Sequence, residues 1–397
     1  MCTELEKKMR NSFTNLQTPS FIIRKSRFDD LIEDMIKATY RTFPNAIIGY
    51  SFKTNNLPWV ILHAKSKGLW AEVVSSDEYN LAKRLGYTPE KIIFNGPVKG
   101  KSEFFEAVKS GAIVNLDSRR ELAWLISMDN SILENSRIGI RVNFCIEEKC
   151  PGESQCGLDD GRFGFSLETG DLADVIDELK RNNIPLSGLH LHVSSKTRSL
   201  NIYRAIANTA VEIIEKYNLS LKYIDIGGGF FGGVPGKPTS LDYLALVKSI
   251  FDKSQKTMDI QLIIEPGMSI IGASVDYLTR VVDKKTTKNN SFIILDGSRI
   301  HIDPLMKKSG YTYHVYPEKR NEKIEDSILC GFTCMEGDRF FKYSGPVMDY
   351  NDYVLFKKVG AYTIGLSPQF IEAYPTVYVE ENEVYTLVRE KQELPNK

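Results

Sequence analysis

A lysine stands where a buried strand is expected to end. Lys53 follows the apolar segment 46–52, and the polar segment 54–56 comes directly after it. Burying the charged form of a lysine costs free energy, which lowers the pKa of the amine and makes it a good nucleophile for Schiff-base formation. The ordinary alternative is a lysine whose stem is buried and whose amine reaches solvent. The ends of the other predicted strands help to decide between the two.

Other polar groups and glycines occur at or near the carboxyl ends of the other predicted strands. They are Glu72 and Ser75 in the second strand, Arg141 in the fifth, His192 with Ser194 and Ser195 at the sixth, the turn Gly227-Gly228-Gly229 at the seventh, and Glu265 with Gly267 at the eighth. In a parallel barrel, the carboxyl ends of the strands meet at one rim, where functional groups gather. An amine, an imidazole, a glycine-rich turn and a carboxylate are therefore expected together.

The glycine turn has two interpretations. Gly227, Gly229 and Gly232 match the spacing G-x-G-x-x-G of dinucleotide-binding loops, but that motif requires a helix to open within it. The segment 234–238, Val-Pro-Gly-Lys-Pro, follows instead and cannot begin that helix. We therefore expect a phosphate cradle, in which backbone amides face an anion.

Two histidines lie on the sixth predicted strand. His190 and His192 are two residues apart and so share one face of the strand. A metal ion would need further ligands at the same rim, and no Cys or carboxylate spacing supplies an obvious set, so we predict no metal. One histidine stacked on a planar ring fits better.

A lysine, a phosphate cradle and a carboxylate together are the groups that hold pyridoxal 5'-phosphate. Lys53 would form the Schiff base, and the glycine turn with Ser195 would hold the phosphate. Glu265 would lie beside the pyridine nitrogen and keep it protonated, which makes the ring an electron sink. The sequence therefore predicts a pyridoxal-phosphate site.

Strand-like and helical segments alternate through the first two thirds of the chain. The predicted strands are 46–53, 69–75, 91–95, 112–117, 137–144, 186–193, 222–227 and 261–265, and helical patterns follow the first seven. This alternation predicts an α/β fold, a (β/α)8 TIM barrel. After Gly272, short alternating segments predict a second, mainly antiparallel β domain with strands at 292–295, 311–316, 327–331, 353–357 and 376–379, to which 18–23 could add another. The predicted domains are 28–272, which binds the cofactor, and 273–397 together with 12–27.

Composition excludes several functional classes. The 397 residues carry 51 basic and 51 acidic side chains, so the chain lacks the charge excess typical of proteins that bind nucleic acid or membrane surfaces. Six cysteines in a chain of this length do not indicate a disulfide framework. We see neither a signal-peptide pattern nor a long apolar run, and we expect a cytoplasmic location with no nucleic-acid or membrane partner.

Six short motifs, in this order, resemble those of the fold-type III pyridoxal-phosphate decarboxylases, the family of diaminopimelate, ornithine and arginine decarboxylases. They are Tyr50-Ser51-Phe52-Lys53-Thr54-Asn55, His190-Leu191-His192-Val193-Ser194-Ser195 (where glycine is usual at Ser194), Ile224-Asp225-Ile226-Gly227-Gly228-Gly229-Phe230, Glu265-Pro266-Gly267, Gly331-Phe332-Thr333-Cys334 with Asp338, and Gly360-Ala361-Tyr362. The resemblance covers nearly the whole chain and implies a barrel followed by a β domain.

The resemblance also implies roles for particular residues. Lys53 and Cys334 would be catalytic, with Cys334 as the general acid that protonates the α-carbon. Tyr362 would contact the cofactor phosphate. The family is further expected to form homodimers in which Cys334 reaches the site of the partner subunit.

The positions that bind substrate in diaminopimelate decarboxylases differ here. Met268 stands where E-P-G-R has its arginine, Asp303 and Lys307 where R-P-x-L-Y has its arginine and tyrosine, and Met335 where C-E has its glutamate, with Glu336 one residue later. A site that lacks these contacts should discriminate against diaminopimelate. We therefore expect a different L-amino acid or amino-acid-derived intermediate, free or tethered to a carrier. Met268, Asp303, Met335 and Glu336 would lie around it, and Asp303 or Glu336 would meet a cationic group.

Three alternatives remain open. The first is diaminopimelate decarboxylation in lysine biosynthesis, and the second is a racemase on the same barrel, which would need a tyrosine where the Cys334 motif lies. The third is a non-catalytic regulator descended from a decarboxylase, which would not need an intact set of cofactor-binding residues.

Overall fold

The chain forms two compact units in a computed structural model that describes residues 4–157, 159, 161–318 and 322–393. One unit contains residues 31–270, and the other combines the segment before residue 31 with the chain from residue 271 onward. The strands are, in chain order, β1 (Ser20–Arg24), β2 (Ile47–Ser51), β3 (Trp70–Val73), β4 (Ile92–Phe94), β5 (Ile113–Leu116), β6 (Arg137–Asn143), β7 (Phe165–Ser166), β8 (Gly188–His190), β9 (Tyr223–Asp225), β10 (Gln261–Ile264), β11 (Val275–Thr286), β12 (Ser291–Leu295), β13 (Thr312–Tyr316), β14 (Lys323–Cys330), β15 (Arg339–Pro346), β16 (Tyr353–Lys357), β17 (Thr376–Glu381) and β18 (Val384–Arg389).

Helices cover the barrel and are sparse in the other unit. They are α1 (Glu4–Phe13), α2 (Lys25–Thr42), α3 (Pro58–Ser66), α4 (Ser76–Arg84), α5 (Lys101–Lys109), α6 (Arg119–Ile126), α7 (Asn130–Leu133), α8 (Ile146–Lys149), α9 (Asp171–Arg181), α10 (Leu200–Lys216), α11 (Ser240–Phe251), α12 (Met268–Ile271) and α13 (Arg299–Ile302). Among the described residues, no helix has both the length and the apolar character that crossing a membrane requires.

Eight parallel strands close into a barrel in the unit of residues 31–270. β2, β3, β4, β5, β6, β8, β9 and β10 pair in that order, and β10 pairs with β2. Each of the eight predicted strands corresponds to one of these, and the predicted TIM barrel is confirmed. Side chains cap the first turn of several helices. Ser75 accepts a hydrogen bond from the Glu78 amide before α4, and Thr239 forms a capping box with Asp242 before α11.

Side chains in the barrel interior form layers, because residues two apart along a strand point to the same face. Ile47, Ile93, Ile113, Tyr223 and Ile263 form one apolar cluster. Two residues closer to the carboxyl end, four of these strands carry a polar or charged residue on the same face, namely Asn95, Asn115, Asp225 and Glu265. The apolar layer therefore lies below a polar layer, which is the floor of the rim where functional groups are expected.

The other unit is built on a mixed sheet. The order is β15-β14-β12-β11-β1-β17-β18, with β16 on β11 and β13 on β16. Most pairs are antiparallel, but β1 with β17 and β12 with β14 are parallel. The predicted strands are present, but sequence analysis missed β11, β15 and β18. For β11 the reason is its burial, because its first five residues are all buried and its end is exposed, so it lacks the alternation used to recognise strands.

Candidate active site

Lys53 lies in a 3₁₀ turn, Phe52–Thr54, directly after β2 and not in the strand itself. Its Nζ lies 2.6 Å from Oε2 of Glu72, and the Lys53 side chain is 33% exposed whereas that of Glu72 has no exposure. Ser51 donates a second hydrogen bond to the same oxygen, also at 2.6 Å. The amine is therefore oriented by a buried carboxylate at the barrel rim.

Glu265 follows β10 and is buried. Its Oε1 accepts a hydrogen bond from Nδ2 of Asn95 at 2.5 Å, and its Oε2 lies 3.7 Å from Nε2 of His190. Burial opposes ionisation of this carboxyl, but interactions with His190, the charge of Lys53 and a hydrogen bond from Asp225 outweigh it and hold the pKa of Glu265 well below its usual range. Glu265 is thus a carboxylate that can hold a proton on a neighbouring nitrogen.

Asp225 is the carboxyl that sequence analysis left without a role. Burial and the nearby negative charge of Glu265 raise the pKa of Asp225 well above its usual range, which favours its neutral form. Its Oδ1 accepts a hydrogen bond from the Gly227 amide at 2.9 Å, and the carboxyl is buried beside Glu265. The structure also brings ligand atoms of His190, Asp225 and Glu265 within 4.8 Å of one another, a grouping that the sequence spacing did not reveal.

Arg141 lies on β6, and His192 follows the neighbouring strand β8. Burial, Arg141 and Lys53 lower the pKa of His192 to about 3, so its ring is neutral. Its Nδ1 is buried without a hydrogen-bond partner in the described part of the chain. Arg141 binds Asp117 at 3.1 Å and lies over the ring of Phe163, 4.6 Å from its centroid. A cavity of about 270 Å³ is lined by Arg141, His192 and residues of the segments 142–147, 154–157 and 161–163.

The glycine turn after β9 leaves two backbone amides without hydrogen-bond partners among the described residues. Gly229 has φ 93°, which favours glycine, and a Cβ at Gly228 would overlap the carbonyl of Glu265. Within the described residues, neither the Gly228 nor the Gly229 amide donates a hydrogen bond to the chain, while Tyr203 donates to the Gly228 carbonyl at 2.8 Å. Ser195 lies in the segment after β8, where its hydroxyl accepts from the Arg198 amide. Bare amides beside a glycine turn suit an anion.

The Lys53 turn and the segment that follows Glu265 are packed against each other. The Ser51 amide donates to the Pro266 carbonyl at 3.2 Å, and a Cβ at Gly267 would overlap the hydroxyl of Thr54. Glycine at position 267 therefore allows the two segments to approach. The barrel thus brings together a lysine, an ionised carboxylate, a neutral imidazole with an unpartnered nitrogen and an uncovered amide turn, and these residues fit pyridoxal phosphate.

Cys334 lies in the other unit, on the loop between β14 and β15, and is exposed. Buried Asp338 fixes this loop by accepting hydrogen bonds from the Thr333 amide and hydroxyl and from the Ser298 hydroxyl. A cavity of about 280 Å³ is lined by this loop, Lys285 and Phe292. The two residues that follow Cys334, Met335 and Glu336, also line this cavity. The Glu336 carboxylate forms an ion pair with Arg339 at 2.8 Å.

The remaining predicted positions lie on other segments. Met268 is the first residue of α12. Tyr362 is 39% exposed and has φ 55°, an unusual conformation for a residue that is not glycine. Asp303 is buried, and its carboxylate accepts hydrogen bonds from the Arg299 guanidinium at 2.8 and 3.0 Å, the Tyr311 hydroxyl and the amides of Lys307 and Lys308. Asp303 therefore organises the turn that follows α13.

The family model described as "Pyridoxal-dependent decarboxylase, pyridoxal binding domain" matches residues 29–272. The chain belongs to this family. The decarboxylase resemblance, the cofactor and the enzyme class, a pyridoxal-phosphate-dependent carboxy-lyase, are thereby confirmed, which sets aside the racemase and the non-catalytic regulator.

Curated relatives of this decarboxylase include two diaminopimelate decarboxylases at 28% identity. That of Aquifex aeolicus aligns over 86% of this chain and 82% of its own length, and that of Archaeoglobus fulgidus over 95% and 93%. An L-glutamyl-[BtrI acyl-carrier protein] decarboxylase of Niallia circulans is 27% identical over 90% of this chain and 89% of its own.

Solved structures show the same fold. A diaminopimelate decarboxylase from M. jannaschi has a TM-score of 0.86 at 21% identity, covering 96% of this chain and 92% of that chain. The enzyme from Helicobacter pylori, complexed with L-lysine, has a TM-score of 0.82 at 22% identity, covering 97% and 96%.

The comparisons overturn one expectation from the sequence. Met268, Asp303, Lys307 and Met335 led us to expect a substrate other than diaminopimelate, and that prediction is wrong, because diaminopimelate decarboxylases match nearly the whole chain. Single substitutions argue weakly about substrate when neighbouring residues can supply similar groups. Asp303, for example, is bound to Arg299 and Tyr311, an arginine and a tyrosine of the same segment.

Proposed function

We propose that this decarboxylase acts on diaminopimelate and releases lysine. The observation that carries the proposal is the similarity to diaminopimelate decarboxylases of Aquifex aeolicus and Archaeoglobus fulgidus along 82% and 93% of their lengths. The neighbour from Helicobacter pylori, complexed with L-lysine, supports an amino acid as the ligand class.

We infer that the barrel domain, residues 28–272, holds the cofactor. Lys53 binds it covalently through its amine, and the amides of Gly228 and Gly229 with the Ser195 hydroxyl bind its phosphate. Glu265 holds a proton at the pyridine nitrogen, which suits a carboxylate whose pKa is held low. Bound pyridoxal phosphate supplies an electron sink for the electrons left when carbon dioxide departs.

The other barrel residues orient these groups. Glu72 aligns the Lys53 amine, and neutral His192 stacks on the cofactor ring without adding charge beside it. Arg141, held by Asp117, fixes the wall next to His192, to whose carbonyl it donates at 3.4 Å. Gly267 allows the segment after Glu265 to pack against the Lys53 turn.

The second domain, residues 273–397 with 12–27, is proposed to complete the site. Cys334 supplies the proton to the α-carbon as general acid, and Tyr362 contacts the cofactor phosphate. Met335, Glu336 and Met268 line the substrate pocket, and Asp303 shapes it through Arg299. The proposal includes a homodimer in which Cys334 serves the site of the partner subunit, and its exposed loop is consistent with this.

The test is a substrate panel with the cofactor-loaded enzyme. We expect lysine from meso-diaminopimelate at a rate typical of enzymes, about 10 per second. The comparison substrates are ornithine, arginine, free glutamate and glutamate linked to an acyl-carrier protein, the last because of the Niallia circulans relative. Lys53→Ala is the inactive control. Release of carbon dioxide from another member of the panel, with no lysine formed from diaminopimelate, would overturn the proposal.

A further inference from the structure

One buried amide, that of Asn95, bridges the carboxylate that binds Lys53 and the carboxylate assigned to the cofactor ring, and two further buried side chains hold that amide in place. Nδ2 of Asn95 donates one hydrogen bond to Oε1 of Glu72 at 3.1 Å and another to Oε1 of Glu265 at 2.5 Å. Behind it, Nδ2 of Asn115 donates to Oδ1 of Asn95 at 2.8 Å. The Tyr223 hydroxyl in turn donates to Oδ1 of Asn115, also at 2.8 Å.

The direction of this chain follows from its two ends. Asn95 faces two carboxylates that need donors, so its amide nitrogen must point toward them and its oxygen must point away. The Asn95 oxygen needs a donor, so the amide nitrogen of Asn115 must point toward it. The Asn115 oxygen then points away and accepts from the Tyr223 hydroxyl. Burial raises the pKa of Tyr223 well above its usual range, so the hydroxyl keeps its proton and can donate. The network has one consistent arrangement of donors.

The barrel makes room for the network at two glycines. A Cβ at Gly139 on β6 would overlap Oδ1 of Asn115 and the Tyr223 hydroxyl, and a Cβ at Gly188 on β8 would overlap the Tyr223 ring. The ring belongs to the apolar layer, while its hydroxyl reaches the polar layer above. Asn95, Asn115 and Tyr223 are all buried. Buried polar groups of this kind are costly unless every member is bonded, so the network is a built feature of the site floor.

We propose that Asn95 is a positioning residue that sets, through its single amide, how strongly Glu72 binds the Lys53 amine and how Glu265 is held beside the cofactor ring. The proposal rests on the roles assigned above to Lys53 and Glu265, and it is independent of the substrate. Each carboxylate receives one of the two amide hydrogens. A carboxylate that loses a donor becomes more basic and attracts a neighbouring ammonium more strongly. Asn95 therefore keeps Lys53 from being bound too tightly by Glu72 to react.

The experiment compares variants by two readouts that do not need substrate. In the cofactor-free protein, the pH dependence with which an amine reagent labels Lys53 is followed by peptide mass spectrometry. In the loaded enzyme, the pH midpoint of the cofactor absorbance change is titrated. Asn95→Ala should move both midpoints upward by about one pH unit, the size expected from losing a hydrogen bond to a charged group. Tyr223→Phe should raise both midpoints by a smaller amount. It removes the hydrogen bond to Asn115, and the Asn115 and Asn95 amides are then held less firmly.

Tyr79→Phe is the matched control, because the Tyr79 hydroxyl is buried but has no hydrogen-bond partner among the described residues. It should leave both midpoints unchanged. Folding of each variant is checked by circular dichroism. If Asn95→Ala does not fold, the midpoints of Tyr223→Phe are used to test the proposal. Midpoints that match the parent or move downward in the deciding variant would overturn the proposal, as would an equal upward shift in Tyr79→Phe. A separate measurement tests the role proposed for Lys53. If borohydride attaches the cofactor of the parent enzyme to a different lysine, that role is wrong.

Discussion

The Lys53 amine and the Glu72 carboxylate form an ion pair in which only the lysine reaches solvent. The two atoms lie 2.6 Å apart, the Glu72 side chain has no exposure, and Ser51 donates to the same carboxylate oxygen. A buried carboxylate with fixed donors holds the amine in one place, which is what a lysine that must bind a cofactor covalently requires. The pair also makes Lys53 the group whose chemistry is most directly testable.

Lys53→Ala should abolish covalent attachment of the cofactor. The loaded parent enzyme should lose its visible absorbance on borohydride treatment, and the reduced label should map to the peptide that contains Lys53. Lys83→Ala is the control, since Lys83 pairs with Glu106 on the outer helices of the barrel. A label on any other lysine would contradict the assignment.

Glu265→Gln should retain the cofactor but slow decarboxylation by several orders of magnitude, because a neutral amide cannot hold the ring nitrogen protonated. Asp225→Asn should be far milder. The raised pKa of Asp225 favours its neutral form, and an asparagine can still accept from the Gly227 amide and donate to Glu265. The turnover numbers of the two variants are compared on the same substrate. Equal losses would mean that Asp225, and not Glu265 alone, carries the needed charge.

Cys334→Ala should change the products more than the loss of carbon dioxide. Without the thiol, the α-carbon would receive its proton from a poorer donor, or the proton would add to a carbon of the cofactor instead. In the second case hydrolysis would release an aldehyde and leave the amino group on the cofactor. Cys156→Ala is the matched control, because Cys156 is also an exposed cysteine. Chromatography of amine and aldehyde products makes the comparison. Amine alone, formed at the parent rate, would show that Cys334 is not the general acid.

Acid should destabilise the protein partly through His301. Burial lowers the pKa of His301 to about 4, below the value of about 6.5 for an unfolded chain. Between these pH values the unfolded state binds more protons, so the free energy of unfolding falls as pH drops through this window, by at most about 1.4 kcal/mol per pH unit from this group.

His301→Asn should reduce that slope, because asparagine can bond the Tyr277 hydroxyl without titrating. In the native protein this hydroxyl lies 2.5 Å from Nδ1 of His301. Urea unfolding between pH 4.5 and 7.5 provides the measurement. An unchanged slope in the variant would show that His301 does not contribute. His192, whose pKa is lowered to about 3, acts with the same sign and should account for part of the slope that remains.

Much of the barrel and its rim could be predicted from the sequence alone. Lys53, the glycine turn and Glu265 each follow an apolar segment of strand length, and a closed parallel barrel must gather the carboxyl ends of its strands. The family followed from the order of the six motifs. Those inferences use local sequence and a topology with few alternatives, which is why they held.

The tertiary structure decided what these residues contact. Asn95, Asn115 and Tyr223 carry no motif, and only the closed barrel brings them into one hydrogen-bonded network in which Asn95 bridges Glu72 and Glu265. The division of charge between Asp225 and Glu265 likewise depends on burial and on neighbours from other strands. Spacing along a chain determines which face a side chain occupies, but the free energy of burying a charge depends on everything packed around it.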